Sequence, residues 1–154
     1  MVKNGSFEQD LQDWNGSVAT VSPYDKKVGK NSCMINQFTG KEWKGIDQTI
    51  NIPKDTYALQ CSIWIKTDAI SGGANEYNAG IMTVEFMTSS GKNISYENIA
   101  QVKGTTPWTE YKQTLLIPAE AKKIRIMLAL AQTNGTVFFD DIKLTGLGEE
   151  KFAK

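Results

Sequence analysis

Along almost the whole chain, apolar and polar residues alternate in short runs that stop at turn-forming residues, and no stretch carries a long capped apolar stripe of helical period. The runs fall at 18–21, 32–38, 45–52, 57–67, 80–88, 93–102, 110–117, 122–132 and 136–145. Turn signals separate them, among them Ile52-Pro53-Lys54-Asp55, Ser90-Gly91-Lys92-Asn93 and Thr133-Asn134-Gly135-Thr136. Because successive strand side chains point to opposite faces, each run buries one face and leaves the other outside. The expected fold class is therefore all-β: a two-sheet antiparallel β-sandwich, or jelly roll, of about nine strands. At 154 residues one domain buries a core without staples. Residues 1–147 are read as that domain and 148–154 as a disordered tail or linker.

Alternation also assigns faces. In 57–66, Tyr57, Leu59, Cys61, Ile63 and Ile65 form a core row opposite Ala58, Gln60, Ser62, Trp64 and Lys66. Met82, Val84 and Phe86 oppose Ile81, Thr83, Glu85 and Met87, while Ile124, Ile126, Leu128 and Leu130 oppose Arg125, Met127, Ala129 and Ala131. If these strands are neighbours in one sheet, Gln60, Trp64, Glu85, Arg125 and Met127 share its outer surface.

Composition excludes several classes of function. Seventeen basic and seventeen acidic residues cancel, so no basic field gathers nucleic acid or an anionic membrane. No apolar run approaches the roughly 20 residues that span a bilayer, and the start lacks the pattern of a signal peptide. The chain is expected to be a monomeric module excised from a larger protein. It contains no histidine, which removes the commonest general base and metal ligand. Cys33 and Cys61 are too few for a zinc cluster and are read either as buried free thiols or as a disulfide.

Two constellations remain. The last strand carries Phe138, Asp140, Ile142 and Leu144 at period two, so Asp140 points inward with its apolar neighbours unless a bulge intervenes. A buried carboxylate needs compensation. Glu8 and a carbonyl near Gly29-Lys30-Asn31 could join it around a hard cation, with Asp141 as the alternative acidic ligand; otherwise all three carboxylates are solvated strand ends. The second constellation is Trp14, Trp43, Trp64 and Trp108. An exposed indole offers the C–H face of a sugar a flat platform while nearby amides and charges bond its hydroxyls. Trp64 has the face argument and Trp43 lies in the polar 40–45 loop, whereas Trp14 and Trp108 are read as either buried or exposed. Glycoside hydrolysis needs two facing carboxylates roughly 5–9 Å apart. Glu85 and its nearest candidate partner Glu97 have opposite parity relative to Tyr96, so catalysis is not expected.

Taken together, Asn4-Gly5-Ser6-Phe7-Glu8 followed by Trp14, the Gly29-Lys30-Asn31-Ser32 turn, Trp43-Lys44-Gly45, the 57–66 strand, Trp108-Thr109-Glu110-Tyr111 and Phe139-Asp140-Asp141-Ile142 resemble a carbohydrate-binding module. The similarity is to the β-sandwich families four, nine, sixteen and twenty-two, with sixteen the nearest, and spans about 4–144. It implies a jelly roll with a structural Ca²⁺ held by Glu8, Asp140 and Asp141 and by carbonyls near Asn4 and Lys30. It also implies a concave cleft for single polysaccharide chains. The resemblance makes Trp43 a stacking residue of the xylan-binding branch and sets Tyr96 where that branch has a strand tyrosine, but this chain has Met127 and Ala129 where that branch carries Tyr and Glu. Trp14, Trp108, Gln60 and Gln132 are the nearest counterparts of the gripping residues in family sixteen. The implied role is non-catalytic: to hold β-1,4-linked glucan or mannan for a tethered glycoside hydrolase, outside the cell. An adhesive or protein-binding sandwich is the alternative, and a small glycanase that depends on Glu85 the more remote one.

Overall fold

A computed structural model describes residues 1–148, so all of the expected tail except Gly148 lies outside the described residues. The strands are β1 (Thr20–Ser22), β2 (Ser32–Gln37), β3 (Trp43–Asn51), β4 (Ala58–Ser71), β5 (Gly80–Met87), β6 (Asn93–Val102), β7 (Gly104–Leu116), β8 (Lys123–Ala131) and β9 (Asn134–Leu147). They form a five-stranded sheet of order β1-β2-β9-β4-β7 and a four-stranded sheet of order β3-β8-β5-β6, with every pair antiparallel. This is the expected two-sheet sandwich.

The inner rows are those that alternation assigns. Leu59, Cys61, Ile63 and Ile65 of β4 meet Met82, Val84 and Phe86 of β5 and Ile124, Ile126, Leu128 and Leu130 of β8 in one buried cluster. Each fully buried side chain of this size contributes about 1.5–3 kcal/mol relative to exposure. Tyr57 departs from its row: it precedes β4 and stays 40% exposed. β7 begins earlier than expected, running through Pro107; as an edge strand it tolerates a residue with no N–H to give.

The ends of the chain meet. Ile142 N–H donates to the Gly5 carbonyl at 3.0 Å, and a Cβ on Gly5 would stand 2.3 Å from the Ile142 oxygen, so only glycine fits there. The leading segment also pairs with the edge of the four-stranded sheet, through Asn15 opposite Asp47 and a two-way exchange between the Lys3 backbone and the Gln48 amide.

The cysteines are buried free thiols. They sit on β2 and β4 with β9 between, and Phe139, which pairs with Cys33, faces Ile65, four residues along β4 from Cys61, so they stand about 16 Å apart and beyond disulfide reach. Burial pushes the Cys61 thiol up to about 12 and, with help from the Asp140 charge, raises Cys33 further, so neither is a nucleophile.

Candidate functional site

The outer face of the four-stranded sheet carries a cleft of about 430 Å³ lined by Trp43, Tyr77, Ile81, Thr83, Glu85, Tyr96, Asn98, Arg125 and Met127. Strand register builds it. Arg125 stands opposite Glu85, and Glu85 opposite Tyr96; Met127 stands between Asp47 and Thr83; Thr83 stands opposite Asn98. Trp43 opens β3 three pleats away at the far corner, opposite Ala131. Strand spacing and rise place Trp43 and Tyr96 about 25 Å apart on a diagonal, a length for several linked sugar rings. The floor beside Trp43 is kept low by Ala129 and Ala131, which are buried on this face with Ala79 and Ile81. Gly45 has the same effect: a Cβ there would meet Met127 Sδ at 2.8 Å and Trp43 Nε1 at 3.1 Å, so glycine lets the indole lie down on the sheet.

The polar end is a charge cluster. Arg125 Nε donates to Asp47 Oδ2, its Nη1 stands 3.5 Å from Glu85 Oε1, and Glu85 Oε2 accepts from Asn93 Nδ2 at 2.8 Å. Burial works against the Arg125 charge, but hydrogen bonding and attraction from Asp47, then Glu85, outweigh it and hold the guanidinium above its usual value. Both carboxylates converge on one guanidinium, an arrangement that fixes charge rather than moves a proton.

Of the nine residues expected to touch sugar, the cleft gathers Trp43, Glu85, Tyr96 and Arg125. Gln132, exposed in the β8–β9 turn with its N–H on the Glu42 carbonyl, sits at the Trp43 end. Trp14 is 7% exposed, stacked on Phe7 at 5.6 Å and bonded through Nε1 to the Asn4 carbonyl, so it presents no platform. Gln60, Trp64 and Trp108 belong to the other sheet, on β4 and β7, so the single outer surface expected for Trp64, Gln60, Glu85 and Arg125 does not form. There the ring of Trp64 lies under the Lys27 ammonium at 4.1 Å, and Trp108 Nε1 donates to Asp25 at 3.0 Å. Asp25 also pairs with Lys66, which with Trp108 flanks Phe138. These aromatics fasten the loop between β1 and β2 across the outside of the five-stranded sheet.

Tyr77 and Asn98 line the cleft and Asp47 pairs with its Arg125, and alternation singled out none of the three. Tyr77 rides on the loop between β4 and β5, whose Asn78 is buried and donates to the Ala131 carbonyl at 3.1 Å. The Gly72-Gly73 pair announces a turn there but not where it folds. Asn98 faces outward with Thr83 ahead of a β6 bulge at Ile99.

The carboxylates proposed for a cation hold that same β1–β2 loop from two sides. Glu8 accepts from Lys30 N–H at 2.7 Å and Asn31 N–H at 3.3 Å, and Asp140 accepts from Lys27, Val28 and Asp141 N–H at 2.8–3.0 Å. Asp140 does not point into the core with Ile142 and Leu144. A bulge at Asp141, which has φ 51°, shifts the register between Ser62 and Trp64, leaving Asp140 outward beside Trp64 and buried beneath the loop. Burial, only partly offset by the backbone bonds, holds its carboxyl above the ordinary range. Asp141 lies 3.5 Å from Lys143, and the Asn4 carbonyl receives Trp14 Nε1 and Phe7 N–H. Among the described residues no three acidic, histidine or cysteine side chains gather into a metal cluster. The oxygens of Glu8 and Asp140 are of the kind a hard cation takes, and the buried Asp140 carboxylate has backbone N–H groups as its hydrogen-bond partners, with no cationic side chain among them.

No family model and no curated protein matches the chain. Solved structures do. A Family 16 Carbohydrate Binding Module-2 superposes with a TM-score of 0.69 at 18% identity, covering 94% of this chain and 98% of that one. TmCBM61, solved with β-1,4-galactotriose, gives a TM-score of 0.65 at 15% identity, covering 95% and 97%. The enzymatically active domain of tailspike protein 4 from bacteriophage CBA120 gives 0.69 at 18% identity over 95% of this chain, which spans only 21% of that domain. The chain thus has the two-sheet fold of the β-sandwich carbohydrate-binding modules, including families 4, 16, 22 and 61.

Proposed function

We infer that the protein is a non-catalytic module that holds a single β-1,4-linked glucan or mannan chain in the cleft of the four-stranded sheet. One observation carries this reading: Trp43, Tyr77 and Tyr96, each 44–66% exposed, stand around a groove whose floor offers Arg125, Glu85 and Asn98 to hydroxyls. Solvent-exposed aromatics contribute little to folding, so their placement along one groove calls for a ligand with apolar faces and polar edges. Its affinity is expected in the micromolar to millimolar range, about 4–8 kcal/mol. That suffices for a module tethered to a secreted or cell-surface glycoside hydrolase, because tethering raises effective concentration. A structural Ca²⁺ held by Glu8, Asp140 and loop carbonyls accompanies this reading and would supply the counter-charge Asp140 lacks. Affinity electrophoresis in gels of hydroxyethyl-cellulose, glucomannan and xylan is the test. Retardation by the first two supports the reading, and unretarded migration in all three overturns it.

A further inference from the structure

The charges of the cleft favour one class of glycan, an inference that rests on the cleft being a sugar-binding groove. Among the described residues Arg125 is its one lining cation and Glu85 its one lining carboxylate, and Asp47, beside the lining on β3, also pairs with Arg125. With Asp47 counted, the cluster carries one negative charge in excess. Glu85 is the more buried of the two, its side chain 10% exposed against 18% for Asp47: Oε2 accepts from Asn93, and Oε1 has the 3.5 Å approach of Arg125, longer than an ordinary hydrogen bond. The neighbouring basic residues do not restore the balance. Lys123, one pleat along β8, lines a separate hollow at the β3 edge, and Lys103 is tied to the Asn75 carbonyl. Above this floor stand Trp43, Tyr77 and Tyr96, whose ring faces attract cations.

We propose that the cleft binds a positively charged β-1,4-linked chain, an oligosaccharide of glucosamine, in preference to a neutral chain of equal length, and disfavours chains of uronic acids. An ammonium entering the groove gives Glu85 Oε1 a closer charge-assisted donor than Arg125 Nη1 at 3.5 Å and lies against aromatic faces. A uronate meets the excess negative charge, with Nε and Nη1 of Arg125 already engaged.

Calorimetric titration with hexamers of glucose, glucosamine and mannuronic acid, all β-1,4-linked and at mildly acidic pH where the amines are protonated, tests this. At low salt the glucosamine hexamer is expected to bind about tenfold tighter than the glucose hexamer, with the advantage shrinking as salt screens it. Mannuronate is expected to bind weakest. Glu85→Gln keeps an acceptor for Asn93 and should bring the glucosamine-to-glucose ratio to about one; Asp47→Asn serves the same purpose if the first variant does not fold. A wild-type ratio of one or less, or a ratio that survives both substitutions, overturns the charge preference while leaving the sugar cleft standing. Absence of binding by every hexamer overturns the cleft itself.

Discussion

Trp14 and Trp43 carry the same side chain to opposite ends. Trp43 is 47% exposed because its neighbours are polar and Gly45 leaves room for the ring to lie on the sheet; Trp14 is buried because the segment before β1 folds back and stacks it on Phe7. Trp43→Ala should therefore weaken glycan binding by about 1.5–3 kcal/mol, tenfold or more, with an unchanged melting temperature, as paired titration and calorimetric scans would reveal. Trp14→Ala should do the reverse. It empties a core position and should cost about 3–5 kcal/mol of stability, read by denaturant unfolding. The local company of Trp43 made its exposure legible in the sequence. Nothing local could do so for Trp14, whose burial depends on a partner seven residues back and on the carbonyl of Asn4.

β9 is the element on which the sequence reading turned. Period two put Asp140 inside with Ile142 and Leu144; the bulge at Asp141 turns it outward, and only the β1–β2 loop covers it. A bulge leaves no strong mark in a single sequence, but Asp-Asp in an apolar strand names the place where one would relieve a buried charge. Asp140→Ala would strand the N–H groups of Lys27, Val28 and Asp141 and should cost about 3 kcal/mol or more. The pH dependence has a definite sign. The folded carboxyl titrates above its unfolded value, so its contribution is complete below the unfolded pKa of about 3.9 and is lost as pH rises through the folded one. In chelator, the stability of the wild type relative to Asp140→Asn should accordingly decline as pH rises from about 4 toward neutrality, because the variant has no charge to desolvate. A gap that instead widens with pH would show that the backbone bonds, not burial, govern this carboxyl. Gly29 belongs to the same loop. At φ +62° and with a Cβ that would fall 2.0 Å from Glu8 Oε1, Gly29→Ala should unseat the loop and lower stability by about 1–3 kcal/mol.

On the scale of the whole molecule, the sandwich was legible because nine alternating runs can bury their apolar rows only against one another. Which strand joins which sheet was not. β4 and β5 follow each other in the chain yet lie in different sheets, and β9 inserts between β2 and β4, pairings set by contacts far apart in sequence. That partition sends Trp64 and Trp108 to one side and Trp43 and Tyr96 to the other. It also separates two jobs: the cleft lies outside the four-stranded sheet, and the loop gripped by Glu8 and Asp140 lies outside the five-stranded sheet. A cation bound at that loop touches no cleft residue and must act on stability alone. At a Ca²⁺ concentration about a hundredfold above the dissociation constant, linkage predicts about 2.7 kcal/mol, or roughly 5–10 °C in melting temperature for a domain of this size. Chelation should remove that increment, and Lys27 over Trp64 with Asp25 on Trp108 should make the change visible in tryptophan emission. Affinity for the glucose hexamer at a temperature well below melting should stay within about twofold. A melting curve indifferent to chelator would remove the ion from the account, whereas loss of sugar binding on chelation would mean that the two sheets are coupled through the core they share.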